Sequence, residues 1–362
     1  MLYLKISIIR RLAAIVALFI SLPAFAQDTS ATDNRQSTTY ADTPYLRSEI
    51  VNQGEVCLLV GSKVKKITLA EYLGSGNEHS RTKRQRTWLV AGAHAALWGG
   101  SYLALNKAWY ADYPKESFHF FNDNKEWLQM DKMGHVWTAN QMSRVSAELW
   151  RWAGLSDKQS TWLGGISGVA YQSIIEIQDG FSAEWGFSWG DMAANIAGSA
   201  MYVAQELGWK EQRIQIKLSY WPYDYSSPEL TTRRNELFGK SIQERVLKDY
   251  NSQTYWLSAN IHSFLPDSKM PRWLNLAVGY SANGMLGGMS NSWVDKEGFT
   301  HDRSDVPRTR HFFLSPDIDL TKIKTKSKFL RSALFVLNMI KIPAPALELN
   351  SRGKLKGHVL YF

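Results

Sequence analysis

The sequence predicts an α+β protein, a four-helix bundle followed by an antiparallel β-rich region that makes a partial sheet or a small barrel. Three observations predict it. Between residues 87 and 210, apolar positions recur at helical spacing in four stretches joined by short connections containing Gly154, Asp157, Gly180 and Gly186. Within them small residues stand four apart, Gly164 with Gly168 and Ala194 with Gly198, which lets helix backbones approach closely. After Trp209 the pattern changes to alternating, aromatic-rich runs broken by Pro, Gly, Asn and Asp, as antiparallel strands require.

The chain divides into residues 1–26, 27–86, 87–210 and 211–362. The first stretch carries Lys5, Arg10 and Arg11, a short apolar run over residues 12–20, and Ala24-Phe25-Ala26 at its end. That is an export signal, with an apolar run far below the ~18–20 residues a membrane span needs. Residues 27–45 are rich in Asp, Thr, Ser and Gln and read as a linker. A short strand is expected over residues 56–60. It holds the single cysteine, Cys57, which has apolar neighbours and lies too far from the leader to carry a lipid. Two basic clusters follow, Lys63, Lys65 and Lys66, then Arg81, Lys83, Arg84 and Arg86; such runs are solvated faces or meet anionic headgroups.

Helices are expected over residues 87–106, 132–153, 160–179 and 188–207. The first has twenty consecutive uncharged residues, but His94, Gly92, Gly99 and Gly100 dilute it to a marginal membrane span or a bundle helix. His94 and His119 are lone histidines in apolar or aromatic surroundings and read as satisfied packing residues. Strands are expected over 213–221, 254–264, 273–280 and 308–314, with one surface helix over 233–249. Lys322, Lys324, Lys326 and Lys328 occupy alternate positions, which puts four ammonium groups on one face if the segment is extended. The chain ends on Tyr361-Phe362, as outer-membrane barrels often do, yet strict alternation groups His358 and Lys356 with Leu360 and Phe362 on one face, where a lysine opposes lipid.

Composition bounds the function. Of 362 residues, 44% are apolar and 21% charged, too apolar for a disordered chain, and one cysteine excludes an internal disulfide or a cysteine zinc cage. The net charge of +9 falls to about +6 once the leader's three cations are removed, which gives no reason to expect nucleic acid. Phosphate-binding, dinucleotide-binding, zincin and nucleophile-elbow motifs are absent.

The candidate functional residues are polar ones at helical spacing among small neighbours: Asp131 with His135, Glu176 with Asp179, and Asp191 with Asn195. Asp131 stands near a helix start, where capping explains it, and Ser188-Trp189-Gly190-Asp191 reads as a capping box with Asp in place of Glu. Glu176, set among Ile174, Ile175 and Ile177, needs a partner if buried. Should the three motif ends converge, four carboxylates and an imidazole can hold a divalent metal at Asp131, His135, Glu176, Asp179 and Asp191. A metal-bound water with Glu176 as base and His135 beside it would then be a hydrolytic site, whereas a polar network with Asn195 satisfying buried groups uses the same residues without chemistry.

The spaced motifs Asp131-Lys132-Met133-Gly134-His135, Glu176-Ile177-Gln178-Asp179-Gly180 and Ser188-Trp189-Gly190-Asp191 through Asn195 to Gly198 resemble the YfiM-like family of predicted periplasmic lipoproteins, and more distantly VanZ-like membrane proteins. The resemblance covers about residues 87–210 and implies an envelope protein, in the periplasm or at the outer membrane of a Gram-negative cell, without implying a reaction. The expected role is a structural or binding component with a membrane, lipid, glycan or envelope protein as partner; the alternative is a metal- or carboxylate-dependent hydrolase of envelope lipid or glycan.

Overall fold

The computed structural model describes residues 50–51, 55–60, 63–106, 114–295 and 297–362, so the leader and the linker ahead of Ile50 lie outside the described residues. Three short strands, β1 (Ile50–Val51), β2 (Glu55–Val60) and β3 (Lys63–Thr68), pair antiparallel in the order β1-β2-β3. They lead directly into α1 (Leu69–Leu105), so the basic cluster at Arg81 to Arg86 sits on a helix that starts well before residue 87. Among the described residues no helix is long and apolar enough to cross a membrane.

The bundle is α2 (Met130–Trp152), α3 (Asp157–Asp179) and α4 (Trp189–Trp209), tightly packed on one another, with α1 laid alongside. The starts of α3 and α4 are written locally. Ser156 and Gln159 form a reciprocal capping box, and Ser188 accepts the Asp191 backbone N–H at 3.1 Å. The small residues act as expected. A Cβ on Gly198 would stand 2.2 Å from the Val136 carbonyl oxygen, and one on Gly168 would stand 2.5 Å from the Ala139 carbonyl oxygen. Helix α1 docks through His94, which bonds Ser146 Oγ at 2.8 Å and stacks on Trp150, the satisfied packing role expected of it. His119 likewise is held, at 2.6 Å from the Trp185 carbonyl.

The rest of the chain is built on β4 (Ile214–Tyr220), β5 (Gln253–Asn260), β6 (Leu274–Asn283), β9 (Thr309–Ile318), β10 (Ala344–Asn350) and β11 (Leu355–Tyr361), a six-stranded antiparallel meander in that order. The hairpin β7 (Ser292–Val294) and β8 (Thr300–Asp302) stands apart. The expected single helix over 233–249 is two, α5 (Pro228–Phe238) and α6 (Ile242–Lys248), because Gly239 turns at φ +80° and Ser241 with Glu244 starts a new capping box. The four alternating lysines are not an extended edge. Residues Leu320–Lys322 form a 3₁₀ turn, Lys322 pairs with Glu211, and Ser327 caps α7 (Lys328–Leu337).

The sheet is strongly curled. Trp256 of β5, Phe313 of β9 and Tyr361 of β11 share one aromatic cluster, and Thr254 of β5 hydrogen-bonds Tyr361 at 3.2 Å although three strands intervene. The free edge of β4 is backed by residues 339–341, with Leu218 N–H donating to the Met339 carbonyl and Lys341 N–H to the Leu218 carbonyl, both at 3.0 Å. A bulge in β11 breaks the alternation near the C-terminus: His358 and Tyr361 both face inward, while Val359 is exposed. This removes the conflict seen in strict alternation, because His358 is not a lipid-side residue and Lys356 lies opposite Glu348, on the inner face.

Candidate polar centre at the bundle end

Three helices and the segment ahead of α2 bring the polar motifs together. His135 Nε2 lies 3.5 Å from Asp191 Oδ1, 3.6 Å from Glu176 Oε1 and 3.9 Å from Asp131 Oδ2. Its other ring nitrogen, Nδ1, faces Asn195 Oδ1 at 3.0 Å. Gln172 stands 3.3 Å from the same nitrogen. Glu176 is 1% and Asn195 0% exposed, so the centre is withdrawn from bulk water.

Lys132 fills the space between the carboxylates. Its ammonium is 2.7 Å from Asp123 Oδ2, 2.7 Å from Asp191 Oδ1 and 3.5 Å from Asp131 Oδ2. Ser188 donates to Asp123 Oδ1 at 2.6 Å while its own oxygen caps α4, so one hydroxyl joins two elements. Tyr250, from the loop before β5, donates to Asp131 Oδ1 at 2.5 Å and ties the bundle to the sheet.

Burial, together with the negative charges of Asp179 and Asp131, pushes the Glu176 carboxyl up to about 9. Burial and the neighbouring Asp131 push Asp191 up to about 10, while Asp123 is held below its ordinary value by hydrogen bonds from Asp191, Lys132 and Ser188. The same carboxylates raise Lys132, whose positive charge is therefore fixed. At neutral pH the centre holds a proton on Glu176. As long as no cation joins the centre, the protonated Glu176 is a proton donor.

All three helical pairs thus contribute, in unequal ways. Asp131, His135, Glu176, Asp191 and Asn195 meet within hydrogen-bonding or ion-pairing range, while Asp179, at the end of α3, acts on Glu176 through its charge. Capping does not account for the two aspartates. Gln129, in the left-handed region at φ 64°, precedes α2 without a side-chain cap, and Asp131 is engaged by Tyr250 and Lys132. Asp191 is capped by Ser188 but sends its own carboxyl to Lys132. Sequence reasoning missed Lys132, Asp123, Gln172 and Tyr250. Lys132 was signalled by its place inside Asp131-Lys132-x-x-His135; nothing local signals Tyr250.

Ligand atoms of Asp131, His135 and Asp191 all lie within 4.8 Å of one another, a separation a divalent cation could bridge. Around it Glu176 Oε1, Gln172 Oε1 and Asn195 Nδ2 are buried without a hydrogen-bond partner. The donor set fits a hard or borderline cation, except that the Lys132 ammonium already stands at the oxygen Asp191 would offer.

The fold and this centre define a class: an α+β protein whose helical bundle closes around a buried charged network. Residues 119–206 match the family model of predicted periplasmic lipoproteins (DUF2279), a family of unknown function, over the three helices that carry the centre and the segment before them. That description agrees with an exported protein of the periplasm or outer membrane of a Gram-negative cell. No curated protein and no solved structure matches the chain.

Proposed function

We propose that this chain is a non-catalytic component of the cell envelope that works at the outer membrane, with the polar centre serving to hold its helices in register. The observation that supports it is the reversed polarity of the bundle. The buried positions of α3 are Ser160, Thr161, Gly164, Gly165, Ser167, Gly168, Gln172 and Glu176, whereas Trp162, Ile166 and Ile177 of the same helix are exposed. Helix α4 repeats this in part, burying Asp191, Asn195, Ser199 and Gln205 beside Tyr202 and Val203 while exposing Trp189, Ile196 and Leu207. An apolar surface of this extent on a monomer marks an interaction site, and a polar, small-residue interior is the packing used where the surroundings are as apolar as leucine. Within such an interior an ion-paired and proton-sharing network fixes one register of the helices. The test is fractionation of cells expressing the full chain, followed by carbonate and urea extraction. Retention in the outer-membrane fraction supports the reading; release into the soluble periplasmic fraction without extraction overturns it.

A second reading rests on the cluster of Asp131, His135 and Asp191, which would hold a divalent cation and so open the way to hydrolysis of envelope lipid or glycan. It requires that Lys132 withdraw. Metal analysis after dialysis against zinc or manganese separates the two, with stoichiometric metal lost in His135→Ala favouring the cation and absence of metal in wild type favouring the network.

A further inference from the structure

We propose that the outer face of the curled sheet is a lipid-contact surface, immersed in the acyl chains of a bilayer leaflet, with cationic rims at the headgroups. This deepens the outer-membrane reading and rests on it, but it names a different surface from the bundle.

The strand register carries the argument. Leu257, Val278, Leu314 and Leu347 are direct neighbours across β5, β6, β9 and β10, and all are on the outer face. The next row runs Phe312, Leu349 and Leu355. Each of these seven is two-fifths or more exposed, so none of the described residues covers them. The alternate residues, which point into the curl, are mostly polar, set around the aromatic cluster of Trp256, Phe313 and Tyr361. Lys217 and Asp317 form an ion pair at 2.7 Å with both side chains 0% exposed, Ser258 donates to the same carboxylate at 2.6 Å, and Glu348 is bonded by His311 and His358. A strand face turned to water would carry polar residues, and these outer rows carry none. Apolar outside and polar inside is the arrangement of strands that face lipid.

The charges lie where headgroups would be. From Leu274 to Tyr280 on β6, and from Phe312 to Ile318 on β9, no outward position is charged. Seven residues extend about 20 Å along a strand, and a convex face of that length lying along one leaflet would dip its middle into the acyl chains and raise both ends to the headgroups. Beyond β9 come exposed Lys324 and Lys326, and α7 then presents Phe329 and Leu330 outward beside that basic segment, as an interfacial helix does. At the opposite end the β10–β11 turn carries Arg352 and Lys354, both exposed. A second copy of this chain is a poorer occupant, because the face is the convex side of a curl and two rigid convex surfaces touch over little area, whereas acyl chains conform to it.

The experiment uses the full mature chain with Cys57→Ser, reconstituted with vesicles of phosphatidylethanolamine and phosphatidylglycerol. Nitroxide labels are placed singly at Val278, Leu347 and Arg352, and their collisions with oxygen and with a water-soluble nickel chelate are compared. Flotation reports association independently. The expected result is flotation, with oxygen-favoured collisions at Val278 and Leu347 and nickel-favoured collisions at Arg352; Leu347→Lys should lower the vesicle-bound fraction by roughly tenfold or more at unchanged circular dichroism. Flotation with nickel-accessible labels at Val278 and Leu347 overturns the sheet surface but not the membrane reading. Labels shielded from both reagents mean a protein covers the face and overturn it as well. Failure to float overturns both.

Discussion

Replacing Glu176 by Gln tests the polar centre most directly, because the two side chains have the same shape and only one can ionise. In the unfolded chain the Glu176 carboxyl titrates near 4.5, and in the folded chain at about 9. Between these values the native state holds a proton that the unfolded state lacks, so stability contributed by this group is full below pH 4.5 and is lost as pH rises toward 9. The slope is about 1.4 kcal/mol per pH unit, which makes roughly 4 kcal/mol between pH 5 and pH 8 as an upper bound. Asp191 is raised by burial, by Asp131 and in part by Glu176 itself, so the comparison reads Glu176 together with its coupling to Asp191. Urea denaturation of the full chain, followed by circular dichroism at several pH values with the slope m held in view, measures it. The expected outcome is a wild type that loses stability steeply on alkalinisation and a Glu176→Gln variant with a visibly flatter profile. Parallel profiles, within about 0.5 kcal/mol across the range, would refute the claim that Glu176 is buried and protonated in the native centre.

Further outcomes follow from other contacts. Gly198→Ala places a methyl 2.2 Å from the Val136 carbonyl, where neither backbone can yield cheaply, and should cost about 1–3 kcal/mol or more in the same denaturation assay. Tyr250→Phe removes the hydroxyl that donates to Asp131 Oδ1 and should cost about 1–3 kcal/mol while loosening the loop before β5, read as faster amide exchange there. Lys217→Met leaves Asp317 buried without its cation and should cost about 3–5 kcal/mol, whereas Lys217→Met with Asp317→Leu should recover most of the loss, a double-mutant cycle that fails if the two single changes simply add.

The bundle helices were legible from helical spacing, from Ser188 at the start of α4 and from glycine pairs that sit where backbones meet, while the Ser156 box that starts α3 three residues before the expected 160 went unread. The participants in the centre were legible only in part. His135, Glu176, Asp191 and Asn195 stand out as polar residues on otherwise small or apolar faces, but Tyr250 lies over a hundred positions from Asp131, and no local pattern couples them. Local reading also missed what depends on one extra residue. The β11 bulge reverses the facing of everything after it, which is why His358 and Tyr361 share the inner side. The largest gap has a more general cause. Alternation tells which residues share a face of a strand but not which face is inside, because a period of two looks the same from either side. In β6 the sequence Leu-Asn-Leu-Ala-Val-Gly-Tyr-Ser-Ala-Asn reads naturally as apolar residues on a core and small polar residues in water. Only the curl, which closes Lys217, Ser258, Asn275 and Asp317 into a hydrogen-bonded interior, assigns the sign. With that interior filled by these polar groups and by Trp256 and Phe313, Leu276 and Val278 stay on the outer face, about half exposed, where the proposed lipid contact would supply their apolar surroundings.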